Sequence, residues 1–178
     1  MISIANMSLT ELVAHIQAHL EAKGIRTALS GGSCVTIWSE NAYRSDDIDL
    51  ISDGIGERKK ITSVMLELGF SEDRRYFTHP NTTLFVEFPA GPLSVGEERP
   101  REITNLKTAT GIVRLLSPTD CIKDRLTWWF HSGDRQCLEQ AVAVASVTTI
   151  DLAELRRWSV GEGKAAEFEI IAQRLKRT

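Results

Sequence analysis

At the head of the run Asp47-Ile48-Asp49-Leu50-Ile51-Ser52, acidic and apolar residues alternate one for one from Asp47 to Leu50. The run is too short and too β-branched for a helix, so it predicts a strand. Successive side chains of a strand leave opposite faces, which sends Ile48 and Leu50 into a core and leaves Asp47 and Asp49 together on the other side. Asp46 leans away from the pair. Such a strand commits the chain to a sheet with one buried face and one face that carries paired charge.

The flanking periodicities fill in the rest. Leu9, Leu12, Val13, Ile16 and Leu20 recur at helical spacing after Ser8, with Gly24 beyond, which predicts a capped helix over 9–22. The stretch 25–32 reads as a short strand running into glycines, followed by a short helix with Ser33 at its start. Ile61, Val64, Met65 and Leu68 place a helix over 57–69. Alternation on both sides of His79-Pro80-Asn81-Thr82 marks two antiparallel strands, and a second hairpin turns around 109–111. Beyond Pro118 every window is helical, roughly 118–131, 134–147, 151–160 and 163–176. The order predicts an α+β fold, a mixed β-sheet flanked by helices with a C-terminal helical segment, divided into a core over 1–117 and helices over 118–178 packed on it.

Composition narrows the function classes. At 178 residues with 42% hydrophobic and 25% charged residues, the chain buries a core without staples. A net charge of −3 argues against a broad electrostatic footprint for duplex nucleic acid. Cys34, Cys121 and Cys137 form no CxxC pair and match no zinc spacing, which fits a reducing cytoplasm. No window has membrane-spanning length and the first residues lack a secretory pattern, so the expectation is a cytoplasmic protein with no membrane partner.

The two aspartates carry chemistry if their oxygens converge. Attachment points at i and i+2 on a strand lie roughly 6 to 7 Å apart, within reach of a shared divalent cation, and oxygen-only ligands favour magnesium or manganese over zinc. Two aspartates hold a pair of ions poorly, and Glu87, an acid interrupting the apolar strand Leu84-Phe85-Val86-Glu87-Phe88, supplies a third carboxylate. The bland alternative for Glu87 is an exposed edge-strand acid. Gly31-Gly32-Ser33 lets a triphosphate approach the backbone at a helix start; Ser33 either donates its hydroxyl to a phosphate or caps the helix.

Gly31-Gly32-Ser33 followed by Asp47-Ile48-Asp49-Leu50 and a later strand carboxylate resembles the DNA-polymerase-β-like nucleotidyltransferase superfamily. Lys123 on one helix and Asp134-Arg135 opening the next, with Arg44 ahead of the acids, is similar to the abortive-infection AbiEii-type toxin branch and its bacterial relatives. The resemblance spans about 25–145. It departs from many relatives in having Glu87 where they have Asp. It implies transfer of a nucleoside monophosphate from a nucleoside triphosphate (NTP) to a hydroxyl on an RNA end or a protein. Asp47, Asp49 and Glu87 would hold Mg2+ or Mn2+. Gly31, Gly32, Ser33, Arg44 and Lys123 would hold the nucleotide, and Asp134 would orient Lys123 or the acceptor. A toxin or phage-defence role with a cognate antitoxin follows from the same branch.

Other readings stay open. Lys123 also reads as a surface helix residue paired with Asp120 or Asp124, and Asp134 as a helix cap. Of Trp128 and Trp129, at least one is expected in the core. A small hydroxylated molecule such as an antibiotic is an alternative acceptor, and a non-catalytic nucleotide-binding or protein-interaction module on the same fold is the alternative function.

Overall fold

The computed structural model describes residues 3–54 and 56–176. A one-turn 3-10 helix, Ile4–Asn6, precedes α1 (Leu9–Ala22), where Ser8 and Glu11 form a reciprocal capping box that satisfies the first free amides. Then come β1 (Thr27–Ser30), α2 (Gly31–Trp38), β2 (Asp47–Ser52) and α3 (Arg58–Glu67). The strands β3 (Ser71–Asp73), β4 (Tyr76–Thr78), β5 (Phe85–Glu87), β6 (Ile103–Lys107) and β7 (Ile112–Leu116) follow. The chain continues with α4 (Pro118–Ser132), α5 (Arg135–Val147), α6 (Leu152–Gly161) and α7 (Ala165–Ile171). The fold is α+β.

One mixed sheet runs in the order β3-β4-β5-β2-β1-β7-β6, which puts β2 at its centre. β2 pairs antiparallel with β1 and parallel with β5. β1 and β7 run parallel with a single residue pair in register, Leu29 with Leu115. Where that ladder is short, buried Gln17 of α1 takes its place. Its amide donates to the carbonyls of Thr27 (3.1 Å) and Arg114 (3.0 Å) and accepts from the Arg114 N–H (2.8 Å). Buried backbone groups left by the parting strands are thus satisfied by one side chain.

By Cα proximity the chain forms two compact units, the first of Met1–Ser33, Ser45–Leu93 and Ile103–Leu115, the second of Cys34–Arg44, Ser94–Glu102 and Leu116–Thr178. In the first, α1 contacts β1 and α3, and Leu12, Val13, Ile16, Leu29, Ile48, Leu50, Val64, Met65, Phe77 and Val86 are buried. In the second, α4 packs on α5 and α6, and Trp158 is fully enclosed with its indole N–H donating to the Val95 carbonyl (3.0 Å).

Several expectations are corrected. By Cα proximity residues 34–44 and 94–102 group with the helices and not with the other residues before 117: the Gln136 amide of α5 donates to the Tyr43 hydroxyl (3.2 Å), and the Arg101 N–H donates to the Asp120 carboxylate of α4 (2.9 Å). Helix α2 starts at Gly31 rather than at Ser33, so the glycines are its first turn. Strand β3 was not foreseen, since Ser71-Glu72-Asp73 is wholly exposed and has no apolar alternation to reveal it; charge on an edge strand blunts pairing with other chains. The last helix stops at Ile171, well short of 176. Neither Trp128 nor Trp129 is core. The inward positions of α4 are taken by Ile122, Leu126 and Phe130 at fourfold spacing, leaving Trp128 54% exposed.

Candidate active site

The alternation read from the sequence is present in β2: Asp47 is exposed, Asp49 half-buried, and Ile48 and Leu50 fully buried. On β5 the same alternation buries Val86 between half-exposed Phe85 and Glu87. The parallel register sets Asp49 opposite Glu87, Ile48 opposite Val86 and Asp47 opposite Phe85. Register partners in a sheet point to the same side, so Asp47, Asp49 and Glu87 stand on one face, over a core built from the other.

The glycine turn meets this face directly. Gly31 has φ +66°, a conformation that side-chain-bearing residues avoid. The Asp49 carboxylate lies against its Cα: a Cβ there would collide with the carboxylate oxygen and come within 3.0 Å of its Cγ. Across β1 and β2, buried Ser30 is the register partner of Asp49. Ser33 is fully buried, and its hydroxyl donates to the Asp47 carbonyl, tying the first turn of α2 to β2. That bond occupies the donor expected for a phosphate, and Ser33 does not cap the helix.

Arg75 reaches the same face. It lies in the turn between β3 and β4, after Arg74, whose φ is +57°, and its Nε lies 3.6 Å from Glu87 Oε1. Its guanidinium sits 4.7 Å from the centre of the Tyr76 ring and donates to the Tyr76 hydroxyl; Tyr76 is the cross-strand partner of Glu87. Partial burial and then the charge of Asp46 push the Asp47 carboxyl up from its ordinary value, and Arg75 opposes them. Neither Arg75 nor Tyr76 was singled out from the sequence. The sign to look for is an arginine in the turn of the hairpin that precedes the strand of the third acid, and the unseen β3 hid that hairpin.

As donors for a cation the three acids fit in kind and in placement: all oxygen, on adjacent strands, on one face. Their side chains are not gathered as a ligand set. Among the described residues no three His, Cys, Asp or Glu side chains form a group able to hold a metal ion, and Glu87 is paired with Arg75.

The remaining expected site residues lie in the second unit. Arg44 is exposed in the loop before β2. Lys123 is wholly buried, 2.9 Å from Asp120 Oδ1 and 2.8 Å from Glu154 Oε1. Enclosed between two carboxylates, it offers no surface to a phosphate, and it is not the exposed helix residue of the bland reading either. Asp134 caps α5, accepting from the amides of Gln136 (2.9 Å) and Cys137 (3.2 Å), and those bonds hold its carboxyl below its ordinary value.

No protein-family model matches the chain, and neither does any curated protein. Solved structures do. The chain is similar to an antigenic nucleotidyltransferase-like protein from Paracoccidioides brasiliensis, with TM-score 0.62 at 17% identity over 96% of this chain and 94% of that one. It is also similar to the antibiotic-resistance factor ANT(2'')-Ia in solution, with TM-score 0.52 at 17% identity over 93% of each chain. The same factor in complex with adenylyl-2''-tobramycin matches with TM-score 0.52 at 16% identity over 94% of this chain and 98% of that one. The architecture is therefore the nucleotidyltransferase fold over nearly the whole chain. No helix among the described residues is long and apolar enough to cross a membrane.

Proposed function

We propose that the chain is a divalent-cation-dependent nucleotidyltransferase that moves a nucleoside monophosphate from an NTP to a hydroxyl: the hydroxyl oxygen bonds to the α-phosphorus, the bond to the β-phosphate breaks, and pyrophosphate and the hydroxyl proton leave. The observation that carries this reading is the register of β2 and β5, which aligns Asp49 with Glu87 and leaves Asp47 on the same face, beside the glycine that makes room for the Asp49 carboxylate. A fold shared with nucleotidyltransferases of low identity supports it.

In this reading Asp47, Asp49 and Glu87 would hold Mg2+ or Mn2+, which would supply charge neutralisation for the triphosphate and acidification of the acceptor hydroxyl. The chain's own contribution is placement. Gly31 and Gly32 open α2 and bring backbone and the positive end of a helix to the triphosphate side of Asp49. Ser33 acts through β2, fixing the strand that carries both aspartates rather than touching substrate. Glu87 turns from Arg75 toward Asp49, a rotamer change open to a half-exposed side chain. A phosphate role for Arg44 rests on the sequence resemblance alone, while Lys123 and Asp134 make their bonds within the helical unit.

For the acceptor, a hydroxyl on a small molecule is favoured by the neighbour seen with adenylyl-2''-tobramycin. An RNA end or protein hydroxyl, and with it a toxin or defence role restrained by a cognate antitoxin, rests on the sequence resemblance. One experiment separates these. Wild type and Asp49→Asn are incubated with each α-labelled NTP, Mg2+ and a cell extract, then RNA, protein and small molecules are resolved. Label enters one fraction with wild type and falls at least roughly 100-fold with Asp49→Asn. Equal labelling by both proteins contradicts the reading. No label from any NTP, with binding of the triphosphate intact, supports the non-catalytic module.

A further inference from the structure

We propose that Arg75 is the resident counter-cation of the carboxylate face and yields its place to a divalent cation when a triphosphate arrives, so that metal and nucleotide load together. The proposal rests on the cation-dependent reading above and adds a residue that reading does not need.

Arg75 is held on this face by its surroundings. The hairpin of β3 and β4 presents it at its turn, the Tyr76 ring packs beside the guanidinium, and the Tyr76 hydroxyl accepts a hydrogen bond from it. Tyr76 in turn packs edge-on against Phe85 at 5.0 Å, and Phe85 is the register partner of Asp47. The guanidinium therefore stands 3.6 Å from Glu87 and close enough to act on Asp47. At 68% exposure its side chain remains free to swing. An ion pair so open to water does little for folding, so stability gives no reason for an aromatic platform beneath it. Neutralising a face of carboxylates does give one.

The same placement sets a competition. A divalent cation drawing Glu87 toward Asp49 breaks the pair with Arg75 and then faces a like charge a few ångströms away. A triphosphate removes both penalties, because two of its oxygens give the displaced planar guanidinium a bidentate anionic partner and their negative charge offsets the repulsion between the guanidinium and the metal. Metal and triphosphate each then raise the affinity of the other through Arg75, in addition to the coupling they have by direct contact.

The test is a Mn2+ titration followed by the paramagnetic resonance of free Mn2+, with and without a non-hydrolysable triphosphate. It compares wild type, Arg75→Ala, Arg75→Lys and the remote exposed-charge control Arg26→Ala. Arg75→Ala binds Mn2+ alone about fivefold or more tighter than wild type. Its gain on adding triphosphate shrinks by the same factor. Arg75→Lys, which keeps the charge without the planar contact to Tyr76, falls between, and Arg26→Ala matches wild type. In a Glu87→Gln background the effect of Arg75→Ala shrinks, because the ion pair that a cation must break is gone and only the repulsion remains. If Arg75→Ala and wild type bind Mn2+ alike, the role of Arg75 is overturned while the cation reading stands. If no protein binds Mn2+ with or without triphosphate, both are overturned.

Discussion

Gly31 is the residue on which the site's geometry turns. Its φ of +66° and the Asp49 carboxylate resting on its Cα are separate demands, one on backbone and one on space, and only glycine meets both. Gly31→Ala is expected to lose about 1–2 kcal/mol of stability from the left-handed backbone alone and to displace the Asp49 carboxylate. Urea unfolding measures the first and triphosphate-dependent thermal stabilisation the second. A variant matching wild type in both contradicts the geometry. Sequence patterning reached this residue and the two aspartates because a glycine pair and strict acid-apolar alternation are local signals. Lys123 reads as a nucleotide contact or as a surface residue paired with Asp120 or Asp124, and although the Asp120 pair forms, nothing local shows that it is buried. The partner that encloses it, Glu154, stands 31 positions away, and no local pattern announces such a contact.

At the level of elements, some caps are legible and long-range partners are not. Ser8 and Asp134 cap the helices that follow them, as their positions suggest; Ser117 and Asp151, which carry no such reading, cap α4 and α6 in the same way, and Ser33 caps nothing. The junction of α4 with α6 depends instead on a polar cluster. Glu154 accepts from Arg157 (2.7 and 2.8 Å), Lys123 (2.8 Å) and Arg101 (2.6 Å) while only 4% of its side chain is exposed. Hydrogen bonding by Arg157, then by Lys123, carries its carboxyl down to about 2 against the resisting effect of burial. A carboxyl depressed in the folded state contributes stability that is complete above its ordinary value of 4.5. That contribution is lost as pH falls from there toward 2. Denaturant unfolding at pH 6, 4 and 3 is expected to show wild type losing stability faster than Glu154→Gln. Parallel pH profiles for the two proteins contradict this role. The buried amide of Gln17, bridging β1 and β7, belongs to the same class of contact: its helix was legible, its task between parting strands was not.

Across the whole molecule, the α+β class followed from the change of hydrophobic period along the chain, whereas strand order did not. β5 reaches β2 only after α3 and the hairpin of β3 and β4, and nothing in the intervening residues states which residue of β5 will face Asp49. The candidate site is therefore a product of topology: two strands far apart in sequence, one register, one shared face. The direct measurement is anomalous diffraction from crystals grown with Mn2+ and a non-hydrolysable triphosphate. The account predicts anomalous density on the face shared by Asp47, Asp49 and Glu87, with Glu87 turned from Arg75 to meet it. Manganese bound elsewhere, or a triphosphate ordered away from Gly31 with no metal at these carboxylates, would contradict it.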